Sequence, residues 1–246
     1  MSKFDLGWPW MGLGGAVVLL VLMFGTDIMR SRTSRSRWWD PVWLAWLVVP
    51  MYLLHQFGEY ALHYDVANRS YTIVETVCKT QGYAPYPDCA IPMAHFPLVN
   101  IALAWVAAPV AAWLCRRNPV VGLTYYGFVL ANGLLHAVTT IAASGGMISS
   151  PGAVTGILLF IPASVWMVYV CLNSSIMTGK ALAVSLVGGI AGHVGLLGAY
   201  WFLKIGGAAG MLVADVIIAF LPILVAGVGS KLTGPATKTP TKGASV

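Results

Sequence analysis

Charge is scarce in this chain. Lysine, arginine, aspartate and glutamate make up 9% of its 246 residues, whereas soluble globular domains carry roughly a quarter. That scarcity excludes an ordinary soluble fold. Histidine is also sparse, with five in the chain and no HxxHH cluster, which excludes a histidine-rich di-iron oxygenase or desaturase. No lysine falls in the middle of an apolar run: Lys180 and Lys204 lie at run ends, so a retinal Schiff base has no anchor. Nothing in the sequence signals haem, flavin or nucleotide. The first apolar run is long and leads to no small-residue cleavage site, so no cleavable signal peptide is expected.

What is present is apolar. The chain is 58% hydrophobic with a mean hydropathy of +0.78. Runs of about 20 such residues can cross a bilayer as helices. Seven are found, at approximately 8–28, 41–63, 94–115, 119–143, 152–173, 180–203 and 206–229. The expected fold is therefore all-α, a polytopic transmembrane helix bundle of about seven spans. Residues 1–230 form its single domain, and the polar residues 231–246 form a disordered tail. Pro109, Pro162 and Pro222 are ordinary inside membrane helices. Gly188, Gly189, Gly192 and Gly195 point to close helix packing, and the span 180–203 could also serve an oligomer contact.

Orientation follows from the basic residues. One side receives Arg30, Arg32, Arg35, Arg37, Arg116, Arg117, Lys180, Lys231, Lys238 and Lys242; the other receives Lys3, Arg69, Lys79 and Lys204. The richer side belongs in the cytoplasm, which puts the N-terminus outside and the C-terminus inside. The same bias explains the net charge of +6 without a nucleic-acid partner. The short loops favour a bacterial plasma membrane. Residues 64–93 are then an extracytoplasmic loop carrying Cys78 and Cys89, which an oxidising compartment would join as a disulfide. With Tyr83, Pro85, Tyr86 and Pro87 in it, the loop is a candidate cap.

Polar groups inside the spans are costly and mark function. His55 and Glu59 are an i,i+4 pair on one helix face, and His63 lies a further four residues on. At the usual helical rise His55 lies about 12 Å, and Glu59 about 6 Å, from the outer end of its span. Asn132 and His136 are a second i,i+4 pair in the outer half of theirs. Asn100, His193 and Asp215 fall in the same half, and His95 at its rim. This concentration points to one polar site. Glu59, His55, His136, Asn132 and Asp215 are its candidate catalytic groups, and Asn100, His193, Tyr60 and Trp105 are candidate substrate contacts. His55, Glu59, His63 and His136 could supply N and O ligands to a single zinc or iron ion. Simpler roles are open to some of them: His63 and His95 suit the headgroup level, and His193 an interhelical hydrogen bond.

Such a site suits an intramembrane enzyme acting on a lipophilic small molecule, with acid–base chemistry of an isomerase, cyclase or hydrolase-like kind. A proton-linked transporter is the alternative, although the cytoplasmic halves of the spans offer no acid or histidine to continue a relay. A lipophilic-ligand-binding membrane protein is the third reading.

Three separated blocks add a resemblance. His55-Gln56-Phe57-Gly58-Glu59-Tyr60, Asn132 to His136, and Ser150-Pro151-Gly152 to Thr155 stand in the order and spacing of the HXXEE-motif membrane family, over roughly residues 40–175. The chain resembles that family but departs from it at Gly58, where the first glutamate of the motif is expected. Glu59 is left as the motif's only acid. The resemblance implies a site at these residues and no particular reaction.

Overall fold

The computed structural model describes residues 1–142, 146–174 and 176–233. Long helices dominate it: α1 Lys3–Gly25, α2 Pro41–Tyr60, α3 Thr72–Thr80, α4 His95–Leu114, α5 Pro119–Ala142, α6 Ala153–Asn173 and α7 Gly179–Leu232. Five of them, α1, α4, α5, α6 and α7, are long and apolar enough to cross a bilayer. The chain is thus a multi-pass membrane protein. Helix α2 has the length, at 20 residues, but its last third carries His55, Gln56 and Glu59.

Local sequence sets the helix starts. Asp40 caps α2, its Oδ1 accepting from the backbone N–H of Val42 at 2.9 Å and Trp43 at 3.2 Å, with Pro41 following as the first helical residue. Asn118 and Pro119 repeat that arrangement at the start of α5. A side-chain acceptor followed by a proline satisfies or removes N–H groups that would otherwise be orphaned. Helix α2 is buried along nearly its whole length, Trp43 and Leu44 completely. It runs through the main core between α1, α4, α5 and the start of α6.

Helix α7 is a hairpin. At Gly207 the backbone turns to φ 61, ψ −160, a left-handed conformation open to glycine, and the second arm returns along the first. Gly229 meets Val184, Gly188 meets Ala226, Gly192 meets Pro222 and Gly195 meets Ile218. Gly189 lies so close to α5 that a methyl group there would fall 2.1 Å from Thr124 O. The glycines that the sequence offers for close packing or an oligomer contact are therefore used inside one chain. The second arm runs to Leu232, two residues into the stretch expected as a disordered tail. Residues 234–246, including Lys238 and Lys242, lie outside the described residues.

Two helices widen into π turns, at Ile101–Ala107 in α4 and Gly156–Phe160 in α6. Each stretch precedes a proline, Pro109 or Pro162. Proline lacks an N–H and crowds the carbonyl four residues earlier, which favours the wider turn.

Residues 64–93 fold over one end of the bundle. Strands β1 Tyr64–Asp65 and β2 Ser70–Tyr71 pair antiparallel, with Tyr64 opposite Tyr71. Helix α3 follows, and Cys78 is disulfide-bonded to Cys89. Tyr71, Val74, Cys78 and Ile91 bury a second apolar cluster with Trp8 of α1 and Tyr60 of α2. Tyr71 Oη donates to Asp5 O at 2.6 Å, and the N-terminal amine donates to Tyr86 Oη at 2.9 Å. The N-terminus, this cap and the C-terminal end of α2 thus share one side. Arg116 donates to Ile28 O at 2.8 Å, so the arginine-bearing loops meet on the opposite side.

Candidate functional site

Three side chains converge beneath the cap. His55 and Glu59 sit one turn apart on α2, and His136 reaches them from α5. Glu59 Oε2 is 3.8 Å from His55 Nε2, and Glu59 Oε1 is 3.6 Å from His136 Nε2. The donor atoms of all three lie within 4.8 Å of one another. Both contacts are longer than hydrogen bonds. His55 Nε2 is buried with no hydrogen-bond partner, an arrangement that carries a desolvation cost unless something fills the gap.

The far side of His55 is fixed. Its Nδ1 lies 2.9 Å from Thr155 Oγ1, and that hydroxyl donates to Gly152 O at 3.1 Å. A threonine hydroxyl has one proton. With that proton directed to Gly152 O, Nδ1 carries the imidazole hydrogen and Nε2 keeps its lone pair, facing Glu59 and His136. This is the outer hydrogen bond that metal-binding histidines commonly make.

Gly152 forms the floor of the site. Its φ is +72, and a methyl group there would fall 2.7 Å from His55 Cε1 and 2.9 Å from His136 Cε1. The backbone can lie across both imidazoles only because the residue is glycine. Gly156 approaches His136 as well, its would-be Cβ 3.1 Å from Cδ2. Phe160 closes the inner wall, 4.7 Å from the His55 ring, and the two imidazoles stand edge to face at 4.9 Å. A side chain at Gly58, where the motif has its first glutamate, would begin 3.6 Å from Thr155 Oγ1.

The spacing suits a metal ion. Ligand bonds of 2.0–2.2 Å in tetrahedral geometry put neighbouring donor atoms about 3.3–3.6 Å apart. The contacts at 3.6 and 3.8 Å come close to that spacing but use different oxygens of Glu59. With one donor atom from each residue the set spans up to 4.8 Å, so an ion would draw the three side chains inward by about an ångström. Two histidines and one carboxylate also match the protein ligand set of a catalytic zinc site, which leaves a fourth position for water or substrate.

The remaining candidates fall in other places. His63 leaves the site because α2 ends at Tyr60 and residues 61–63 tighten into a 3₁₀ turn, which breaks the i,i+4 stripe expected from the sequence. Its Nδ1 lies 2.8 Å from Gly58 O and its Nε2 3.1 Å from Ile148 O. Asp215 pairs instead with His95, Oδ2 to Nδ1 at 2.9 Å with both side chains buried, and so forms a second centre. Asn100, Tyr60 and Trp105 form a network with Gln56. Gln56 donates to Asn100 O at 3.0 Å and accepts from Trp105 Nε1 at 3.0 Å, while Asn100 donates to Tyr60 Oη at 3.1 Å. That network braces α2 against α4. His193 is buried against Phe128, with ring centres 5.2 Å apart. Asn132 Oδ1 is buried without a partner one turn before His136.

Thr155, Gly152 and Gln56 carry structural roles at the site that residue type alone did not assign. The first two stood in view only as parts of the Ser150–Thr155 block. Gln56 lies within the motif, and its burial against Asn100 and Trp105 had no independent signal.

Residues 46–167 match the model of a family described as "Protein of unknown function with HXXEE motif". No curated protein and no solved structure matches the chain.

Proposed function

Since the chain belongs to the HXXEE-motif family, whose description assigns no activity, we propose its function from the site: an intramembrane enzyme acting on a lipophilic small molecule, with His55, Glu59 and His136 holding a single zinc or iron ion. The observation that carries this reading is the buried, unpartnered Nε2 of His55 facing two further donor atoms within 4.8 Å. A bound zinc ion supplies a Lewis acid and an activated water. The chain supplies the rest. Thr155 orients His55, Gly152 admits the backbone against both rings, and Glu59 contributes the anionic ligand that completes the protein's share of the site.

Access supports a lipophilic substrate. The side chains of Glu59 and His136 each keep 11% of their surface open, whereas His55 keeps 1%. The neighbours of His136 on the outer face of α5, Leu135 and Val138, are exposed apolar residues. A substrate dissolved in the bilayer would reach the carboxylate edge from there. Hydrolysis, isomerisation or cyclisation is the chemistry that such a site suits.

The reading extends to the membrane. Helix α2 and the two arms of α7, added to α1, α4, α5 and α6, would give about seven crossings. The arginine-rich end would face the cytoplasm, the disulfide-bonded cap would lie outside, and the short connections favour a bacterial plasma membrane.

The test is chemical. Membrane lipid extracts from cells producing the wild-type chain and the Glu59→Gln variant are compared by untargeted mass spectrometry, at matched protein levels. At least one lipophilic species should accumulate or vanish in the variant. Identical extracts, from cells in which the wild type differs from an empty control, would contradict a role for Glu59 in turnover.

A further inference from the structure

A second site lies at the opposite end of the bundle. Residues 30–40 form a built loop rather than a loose one. Arg30 is its hub: it pairs with Asp27 at 2.6 Å and donates to the carbonyls of Arg32 at 3.1 Å, Thr33 at 3.2 Å and also Arg35. Asp40 holds the other end, accepting from Ser31 N at 2.8 Å and Arg32 N at 2.9 Å while capping α2. The loop backbone is thereby fixed, and its two nearby acids are both engaged.

The arginines left over line one cleft of about 410 Å³, formed by Arg32, Arg35, Arg116 and Arg117 with Trp39 and Asp40. Among the described residues, the ion pairs at this end are Asp27 with Arg30 and Asp27 with Arg37. The Arg32 and Arg35 guanidiniums have no partner there. Arg116 donates only to Ile28 O, and Arg117 lies over the Trp113 ring at 5.5 Å. Four guanidiniums around one cavity, facing one carboxylate already engaged by backbone N–H groups, make a strongly positive concavity. Arginine forks match phosphate oxygens in geometry as well as charge.

The surroundings indicate which phosphate. Trp39 lines the cleft and packs edge-on against Trp166 and Tyr169, with ring centres 5.8 and 5.9 Å away. Such aromatic clusters settle at headgroup level. On the adjoining surfaces of α4 and α6, Trp113, Tyr169 and Leu172 are exposed, an apolar path alongside which acyl chains can lie. A free phosphate would use the arginines but not this path.

We propose that the cleft binds the headgroup of an anionic phospholipid, with Arg32 and Arg35 as its mobile clamps and Arg116 and Arg117 as its fixed wall. This site is separate from His55, Glu59 and His136 and does not depend on the function proposed for them.

Binding of short-chain phosphatidylglycerol to the detergent-purified full chain tests it, with short-chain phosphatidylcholine and inorganic phosphate as parallel ligands. Saturable binding of the anionic lipid, weakened about tenfold or more in the double variant Arg32→Gln, Arg35→Gln, is the expected result. An affinity between wild type and the Gln variant is expected of Arg32→Lys, Arg35→Lys, which keeps the charge and loses the fork, with unfolding temperatures matching wild type. Equal binding of phosphatidylcholine, or an unchanged affinity in the Gln variant, would overturn the proposal. Competition by inorganic phosphate at the lipid's own affinity would overturn the assignment to a lipid.

Discussion

Thr155 Oγ1 lies 2.9 Å from Nδ1 of His55, so the start of α6 engages one ring nitrogen of a histidine on α2 while the other, Nε2, faces Glu59 without a hydrogen-bond partner. The relationship joins residues 100 positions apart.

Replacing Thr155 with valine keeps the shape and removes the hydroxyl. Metal affinity should fall about tenfold to a hundredfold, the usual effect of losing an outer hydrogen bond to a ligating histidine. Competition with a chelator of known affinity measures it. An unchanged affinity would mean that the imidazole is held by packing alone.

Gly152→Ala should damage the site and the fold together. The backbone there is at φ +72 and the added methyl would meet His55 Cε1 at 2.7 Å. A cost of about 1–3 kcal/mol for the strained backbone should appear as a lower unfolding temperature in detergent. Metal binding should be lost as the two imidazoles are pushed apart.

Gly189→Ala tests the packing of α5 against α7. The new methyl would fall 2.1 Å from Thr124 O, a backbone atom that cannot rotate away. Overpacking of this kind costs about 1–3 kcal/mol or more, read as thermal destabilisation without a specific effect on metal affinity. Gly198→Ala, which meets nothing within 4 Å, is the matched control and should be close to neutral.

Reducing the Cys78–Cys89 disulfide should loosen the cap and leave the site of His55, Glu59 and His136 intact. The bond closes a short loop with a sequence separation of 11. Its loss, by Cys78→Ser or by reductant, should cost about 2–4 kcal/mol. Unfolding scans with and without reductant report the difference, and a wild-type chain indifferent to reductant would contradict a stabilising role for the bond.

Much of this architecture was legible because hydrophobic length and polar placement are one-dimensional signals. Apolar runs marked the long helices, and the i,i+4 spacing of His55 with Glu59 put them on one face. The pairing of Cys78 with Cys89 followed from their sharing a loop. Other parts depended on tertiary geometry. Periodicity carried His63 along the stripe, but a helix end at Tyr60 turned it toward Gly58 O and Ile148 O. Asp215 and His95 shared a depth with the site, yet depth does not say which neighbour a side chain meets, and they meet each other. Gly152 was visible as a residue, but its closeness to two imidazoles needed the fold. The arginine cleft was likewise hidden inside a charge count that was read only for orientation.

The central claim is that His55, Glu59 and His136 hold one ion and His63 does not. Elemental analysis of the detergent-purified chain tests it directly, with wild type beside His55→Ala, His136→Ala and His63→Ala at equal folded content. The account predicts about one zinc or iron per chain in wild type and in His63→Ala, and background levels in the other two. A wild-type chain purified without metal that also fails to take up zinc or iron would contradict it. So would metal retained in His136→Ala and lost in His63→Ala.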